Sequence, residues 1–356
     1  MKILIPVLGF GKAGGYRVLS ILASEMVSKG HEVDLLSPMQ AEPLYYPTKA
    51  NVIFTTTSGK LNKDVVVSKT VIGFIRIMVA LFNGIKVLKK NNYDVVLANH
   101  SLTTFPVLFS GLKAKPFYYI QAYEPEMYQL KKGLNNIVLK LLSQKSYSFN
   151  FKHIVNSHLY ANYRGIQNAP VVYPGVDLSI FYPKSKSRVD NTSWTIGTIG
   201  RTEPEKGTKF IIDAFKLISR KYNNVQFVIA FGEDEYCDLN INYVQPNGDK
   251  ALAQFYRDID VYISAGTIQH GAVHYPVIES MASGTSVITT NYYPATTHNA
   301  YIVDSGNDLA IVKAFDNLVA NRTERLARIE AGIKSVQSFS WDKVSDKMIE
   351  ILSTKD

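Results

Sequence analysis

Residues 260–290 read DVYISAGTIQHGAVHYPVIESMASGTSVITT. The opening run, residues 260–264, is short and apolar enough for a buried strand. Residues 265–275 are small and polar, carry His270 and His274, and read as a loop. Pro276 then stands where the first residue of a helix belongs, because its missing N–H costs nothing there. Residues 277–282 continue as a short helix, Gly284 stops it, and residues 286–290 form another strand. A loop and a helix N-terminus thus open at the carboxyl end of a strand, where open α/β sheets bind ligands. The unpaired N–H groups of such a terminus favour a phosphate. Glu279 falls in the first turn on this reading. It either offers acceptor oxygens to a ribose diol or simply suits the helix dipole.

A second stretch, residues 197–215, reads GTIGRTEPEKGTKFIIDAF. A strand ending at Gly200 delivers Arg201, and five residues later Lys206 precedes Gly207 and an amphipathic helix. A guanidinium fork and an ammonium point charge at one strand-to-helix turn suit a diphosphate.

Together G-R-x-x-x-x-K-G (200–207) and H-Y-P-V-I-E-S-M-A-S-G-T-S-V-I-T (274–289) resemble the donor-binding half of family 4 glycosyltransferases. That resemblance implies an α/β chain of the GT-B fold, two Rossmann-like domains facing across a cleft. It assigns the nucleotide sugar to Gly200, Gly232, Val244, His270, Gly271, His274, Tyr275, Pro276, Val277 and Glu279. Arg201 and Lys206 become the catalytic cations that stabilise the leaving diphosphate. It further implies retention of anomeric configuration, no cofactor and no metal. One position departs from the family pattern of Glu, seven residues, Glu: the second is Glu279, but Gly271 occupies the first.

The first half begins with a strand over residues 2–8 and a glycine turn, G9-F-G-K-A-G-G15, leading into a helix at 16–29. Gly9, Gly11 and Gly14 match G-x-G-x-x-G, with Asp34 about twenty residues on. Asp34 falls in the middle of the second strand (31–37) rather than at its end, which argues against a nicotinamide or flavin site. The resemblance instead lets Gly14 and Gly15 bring backbone close to donor phosphates and acceptor, with a purely structural turn as the alternative. Residues 45–69 hold short β-like runs, and a helix follows around 70–90. A strand at 93–100 puts His100 at its mouth, a helix covers 101–110, and a strand at 116–122 opens into Q121-A-Y-E-P-E-M-Y128. Gln121 stands where many relatives have His, and the Y-E-P segment resembles bacterial polysaccharide glycosyltransferases, including rhamnosyltransferases. On that basis Glu124 is the acceptor-side base or a sugar-hydroxyl ligand, and His100, Gln121, Tyr123 and Glu126 line the acceptor. A solvated loop carboxylate is the other reading of Glu124. V171-V-Y-P-G-V-D177 resembles the family's junction segment. The domains expected are 1–177 for the acceptor, a linker at 178–193, and 194–339 for the nucleotide sugar, with a final helix (340–356) crossing back.

Composition sets the remaining bounds. The 356 residues allow two domains, each with a core. Cys237 is the only cysteine, which excludes an internal disulfide and any multi-cysteine metal site. No cleavage pattern follows the apolar run 2–8, so a cytoplasmic chain is expected. Asp258-Ile-Asp260 mimics a metal-binding D-x-D, but it straddles a helix end and a buried strand and reads as structural. Of the net charge of +9, all the excess lies early: residues 1–180 hold 20 Lys and Arg against 9 acids. No aromatic–basic motif accompanies it, so nucleic acid is set aside in favour of an anionic membrane surface or a phosphate-bearing acceptor. Residues 131–152 form a basic helix with an apolar stripe through Leu134, Val138, Leu141 and Leu142. It suits either a helix resting on lipid or a surface helix packed on its own domain. The function expected is transfer of a sugar to a cell-envelope polysaccharide or lipid-linked glycan. A 6-deoxyhexose donor such as dTDP-rhamnose is favoured, because Gly271 offers fewer side-chain acceptors. A nucleotide-sugar epimerase of the same architecture, or a non-catalytic sugar-nucleotide-binding module, are the alternatives.

Overall fold

The computed structural model describes residues 1–39, 44–63, 73–129, 133–166, 168–184, 193–232, 239–268 and 271–354. The chain divides into two compact units, Met1–Gly175 with Trp341–Asp356, and Val176–Ser340.

In the first unit the strands are β1 (Lys2–Pro6), β2 (Glu32–Pro38), β3 (Asn51–Thr55), β4 (Leu61–Asn62), β5 (Val95–Ala98), β6 (Lys115–Ile120) and β7 (Lys152–Val155). Its helices are α1 (Gly14–Ser28), α2 (Phe74–Leu88), α3 (Ser101–Ser110), α4 (Glu124–Gln129) and α5 (Leu134–Ser146). Among the described residues these strands form one sheet, ordered β4-β3-β2-β1-β5-β6-β7 and parallel except at β3–β4. Runs such as Ile3, Leu4 and Ile5 are wholly buried, as expected for a parallel sheet covered on both faces.

The second unit holds β8 (Trp194–Ile199), α6 (Thr208–Lys221), β9 (Val225–Ala230), β10 (Ile241–Val244), α7 (Gly248–Asp258) and β11 (Val261–Ser264). It continues with α8 (Tyr275–Ala282), β12 (Ser286–Thr289), β13 (Tyr301–Ile302), α9 (Asp308–Ala320) and α10 (Arg322–Ser335). Its strands are ordered β10-β9-β8-β11-β12-β13, and every pair is parallel. Both orders reverse direction at one point, beside β1 in the first sheet and beside β8 in the second. The loops after β8 and β11 are therefore neighbours at a switch point, as are those after β1 and β5. Asn99 fastens the latter pair, donating from Nδ2 to the Pro6 carbonyl at 2.7 Å.

The last helix, α11 (Trp341–Ser353), returns to the first unit and packs on α1, where Lys29 bridges Asp342 and Asp346. Gly175 makes room for it: a Cβ there would lie 2.5 Å from the Trp341 ring. Residues 178–184, expected as the start of a linker, pack on the second unit instead. Phe181 is buried beside Tyr256, and Arg257 donates to the Ile180 carbonyl at 3.0 Å. Residues 185–192 lie outside the described residues. Asp34 is occupied within its sheet, accepting from Asn51 at 2.6 Å and from the Tyr93 hydroxyl.

Candidate functional site

At the carboxyl end of β8, Gly200 lies against Gly232 at the end of β9. A Cβ on Gly200 would stand 2.6 Å from the Gly232 Cα. Thr208, opening α6, grips the backbone of Arg201 from both sides: its hydroxyl accepts from Arg201 N at 3.3 Å and donates to Arg201 O at 2.9 Å. A single 3-10 turn, Pro204–Lys206, carries the chain to Gly207 at φ 75°, a conformation that strains any residue with a Cβ. A Cβ there would also overlap the Ala265 carbonyl oxygen at 1.9 Å. Thr267 N completes the stitch, donating to Glu205 O at 2.8 Å. The loop bearing Arg201 and Lys206 is thus tied to the loop leading into α8.

Both cations bear on His274, the N-cap of α8. Burial first, then the charges of Lys206 and Arg201, push its imidazole down to about 3, so it is neutral at physiological pH. The ring stacks on Tyr292 at 4.6 Å, and its Nδ1 is buried without a hydrogen-bond partner among the described residues. Among the described residues, neither Arg201 nor Lys206 has an ion-pair partner. No side chain caps the N-terminus of α8, and cations at such a terminus are the arrangement that suits an anion.

The other residues expected here are placed less simply. Tyr275 is the first residue of α8 and Pro276 the second, with Val277 buried in the next position. Glu279 is consequently in the second turn, not the first, which removes the helix-dipole reading. It is 2% exposed and accepts from the Tyr256 hydroxyl at 3.2 Å. Gly271 sits at φ 86°, which suits glycine, and among the described residues nothing lies within 4 Å of a Cβ built on it. His270 lies outside the described residues. Val244 O accepts from Phe231 N at 2.9 Å, and Gln245 donates to Gly232 O at 3.0 Å. Sequence reasoning passed over Phe231, whose ring is exposed and whose φ is 62°. An aromatic directly before the strand-end glycine was the available signal. Asp258 and Asp260 have separate partners: Lys184 and Gln254 for the first, Thr195 N for the second. Among the described residues no three His, Cys, Asp or Glu are grouped to hold a metal.

The corresponding end of the first sheet differs in kind. Gly14 and Gly15 open α1, whose N-cap, Ala13, offers no side-chain acceptor. Neither has a positive φ. Among the described residues nothing would meet a Cβ on Gly14, and one on Gly15 would only touch the Gln121 amide at 3.5 Å. Asn156 donates to Gln121 O at 3.0 Å, while Gln121 Oε1 and Asn156 Oδ1 are buried without partners among the described residues. His100 caps α3 through Nδ1, accepting from Leu102 N at 3.1 Å, and burial lowers its pKa against the pull of Glu124. Tyr123 stacks on Tyr163 at 4.4 Å, and Tyr163 donates to Glu126 at 3.3 Å.

Glu124 requires a correction. It is 4% exposed, so it is no solvated loop carboxylate. It accepts from Ser101 N at 3.1 Å, from Tyr118 at 3.0 Å, and from the Tyr147 hydroxyl. Burial and the charge of Glu124 raise the pKa of both tyrosines, so both remain donors. A carboxylate held by these donors ties α3, α4 and β6 to Tyr147 at the end of α5.

Comparison with known proteins places part of the second unit in a described family. Residues 193–321 match the family model described as glycosyl transferases group 1, a span that contains Arg201, Lys206 and Glu279. Phosphatidyl-myo-inositol mannosyltransferase of Mycobacterium leprae is 24% identical over 176 residues, covering 45% of this chain and 46% of that protein. D-inositol 3-phosphate glycosyltransferase of Corynebacterium urealyticum is 21% identical over 214 residues, covering 51% and 50%. The chain spans about half the length of the curated relatives it matches. Among solved structures, sucrose-phosphate synthase of Thermosynechococcus elongatus superposes over 99% of this chain and 98% of its own, with TM-score 0.74 and 15% identity. Anabaena HepE in complex with UDP-glucose covers 99% of both chains, with TM-score 0.68 and 15% identity. The fold is the GT-B type, two Rossmann-like units.

Proposed function

We propose that this protein is a glycosyltransferase. It moves a sugar from a nucleotide diphosphate donor to a cell-envelope glycan or its lipid-linked precursor, with retention and without a metal. The observation that carries this reading is the pair of cations, Arg201 and Lys206, unpaired among the described residues and held on a loop stitched to the start of α8. As the bond from the sugar's anomeric carbon to the diphosphate breaks, negative charge grows on the departing oxygens. Fixed cations there favour the transition state over the ground state. Neutral His274 and the uncapped start of α8 present N–H groups to the same anion. Phe231 and Val244 flank the base, and Glu279 serves the ribose.

On the acceptor side, Gly14 and Gly15 keep space that neither backbone strain nor packing requires, beside the unpartnered oxygens of Gln121 and Asn156. Tyr123 and Glu126 complete that surface, while Glu124 positions it. Gly271 itself brings no side-chain acceptor to the space before it, which suits a 6-deoxyhexose such as the rhamnose of dTDP-rhamnose. Relatives named for mannose transfer and for UDP-glucose binding make hexoses the competing donors. Turnover across dTDP-rhamnose, UDP-glucose and GDP-mannose with one acceptor tests this. Preference for dTDP-rhamnose is expected, and preference for a fully hydroxylated hexose would remove the argument from Gly271.

A further inference from the structure

Helix α5 is packed the wrong way round for a surface helix. Its fully buried residues are Ser143 and Ser146, and Ser143 meets Ser101 of α3 at 2.8 Å. Leu134, Ile137, Val138 and Leu141, spaced to share one face, stand in water, Leu134 at 81% exposure. Phe109 near the end of the neighbouring α3 is 67% exposed, and Met127 of α4, which also packs on α5, is exposed as well. An apolar patch of this kind marks an interaction surface rather than chance exposure.

Charge decides what covers it. Helix α3 packs between α2 and α5, and not one of the three contains an Asp or Glu. They contain Arg76, Lys86, Lys140 and Lys145 instead, while α4, which supplies Met127, adds the buried Glu124 and the exposed Glu126, the latter bound by the Tyr163 hydroxyl. A protein partner or a second copy of this chain would be matched by balanced charge around the patch, whereas an anionic bilayer is matched by an excess of cations, here four against the one exposed carboxylate of Glu126. Among the described residues no helix is long and apolar enough to cross a membrane, so the fit is to a helix lying in the interface. We infer that the outward face of α5, with Phe109 and Met127 beside it, is a docking face that inserts into an anionic lipid surface. This extends the acceptor side of the reading above but stands on the first unit alone.

The test is flotation of the full chain with vesicles of phosphatidylcholine, alone or mixed with phosphatidylglycerol. Wild type should float with the mixed vesicles and retain part of its binding as salt rises, because inserted apolar groups are not screened. The variant Leu134→Ser, Ile137→Ser, Leu141→Ser should lose at least about tenfold in partitioning, with an unchanged melting temperature because the residues are exposed. The pair Lys140→Glu, Lys145→Glu should abolish the preference for anionic lipid. Nucleoside diphosphate binding, measured by thermal shift, should be untouched in all of them, which separates failure of docking from failure of the donor reading. Flotation unaffected by the serine substitutions would overturn the proposal. So would equal binding to neutral vesicles. A wild-type dimer that the serine variant makes monomeric, with no flotation by either, would assign the face to a second copy and overturn it too.

Discussion

At the carboxyl ends of the second sheet, Arg201 and Lys206 have no ion-pair partner among the described residues. At the same ends of the first sheet, Glu124 is held by Ser101 N, Tyr118 and Tyr147. The glycines divide the opposite way. In the second unit Gly207 is fixed by a positive φ and by the carbonyl of Ala265. In the first unit Gly14 and Gly15 are required neither by backbone nor by neighbours among the described residues. One mouth is thus rigid backbone presenting unspent charge, and the other is spent charge framing empty space. The lesson is that a polar residue at a strand end is informative only once its partners are counted.

The largest effect should come from Gly207→Ala. It forces a Cβ into the Ala265 carbonyl and strains φ, so a loss of about 3 kcal/mol or more is expected in denaturant unfolding. A protein that unfolds at the wild-type midpoint would break the contrast between the two sets of glycines. Next is Glu124→Gln, which leaves donors facing an amide and should cost about 1–3 kcal/mol of stability. Diphosphate affinity should stay unchanged; loss of turnover at unchanged stability would return Glu124 to catalysis. The smallest is Gly14→Ala. It should alter stability by less than about 1 kcal/mol, in the stabilising direction, since alanine restricts the unfolded chain. Transfer to acceptor should nevertheless fall, and full activity in this variant would mean that the space before α1 is not used.

Much of this was legible in the chain. Helix α3 occupies the residues its flanking signals indicated, and the strand-to-helix turn at 200–207 needed only glycine spacing and two cations. What sequence could not show is which way a group faces. Y-E-P-E reads as a polar loop because the hydroxyls that hold Glu124 come from Tyr118 on β6 and Tyr147 beyond α5. The turn holding Glu279 shifted because proline is tolerated at the second helical position as well as the first. The stripe through Leu134, Val138 and Leu141 was visible as a period, but a period does not say whether its face meets a core or water. Phe231 was signalled only by its place before Gly232, and its exposure and left-handed φ single it out.

The central claim is that Arg201 and Lys206 form a diphosphate site, and calorimetric titration tests it most directly. UDP, dTDP and GDP, each beside its monophosphate, would be titrated into wild type, Arg201→Ala and Lys206→Ala. Each substitution removes one charge-assisted contact, so the diphosphate that binds wild type should weaken by about 1.5–3 kcal/mol, roughly ten- to hundredfold. The matching monophosphate should bind all three proteins almost equally. Equal weakening of both nucleotides, or of neither, would contradict the assignment.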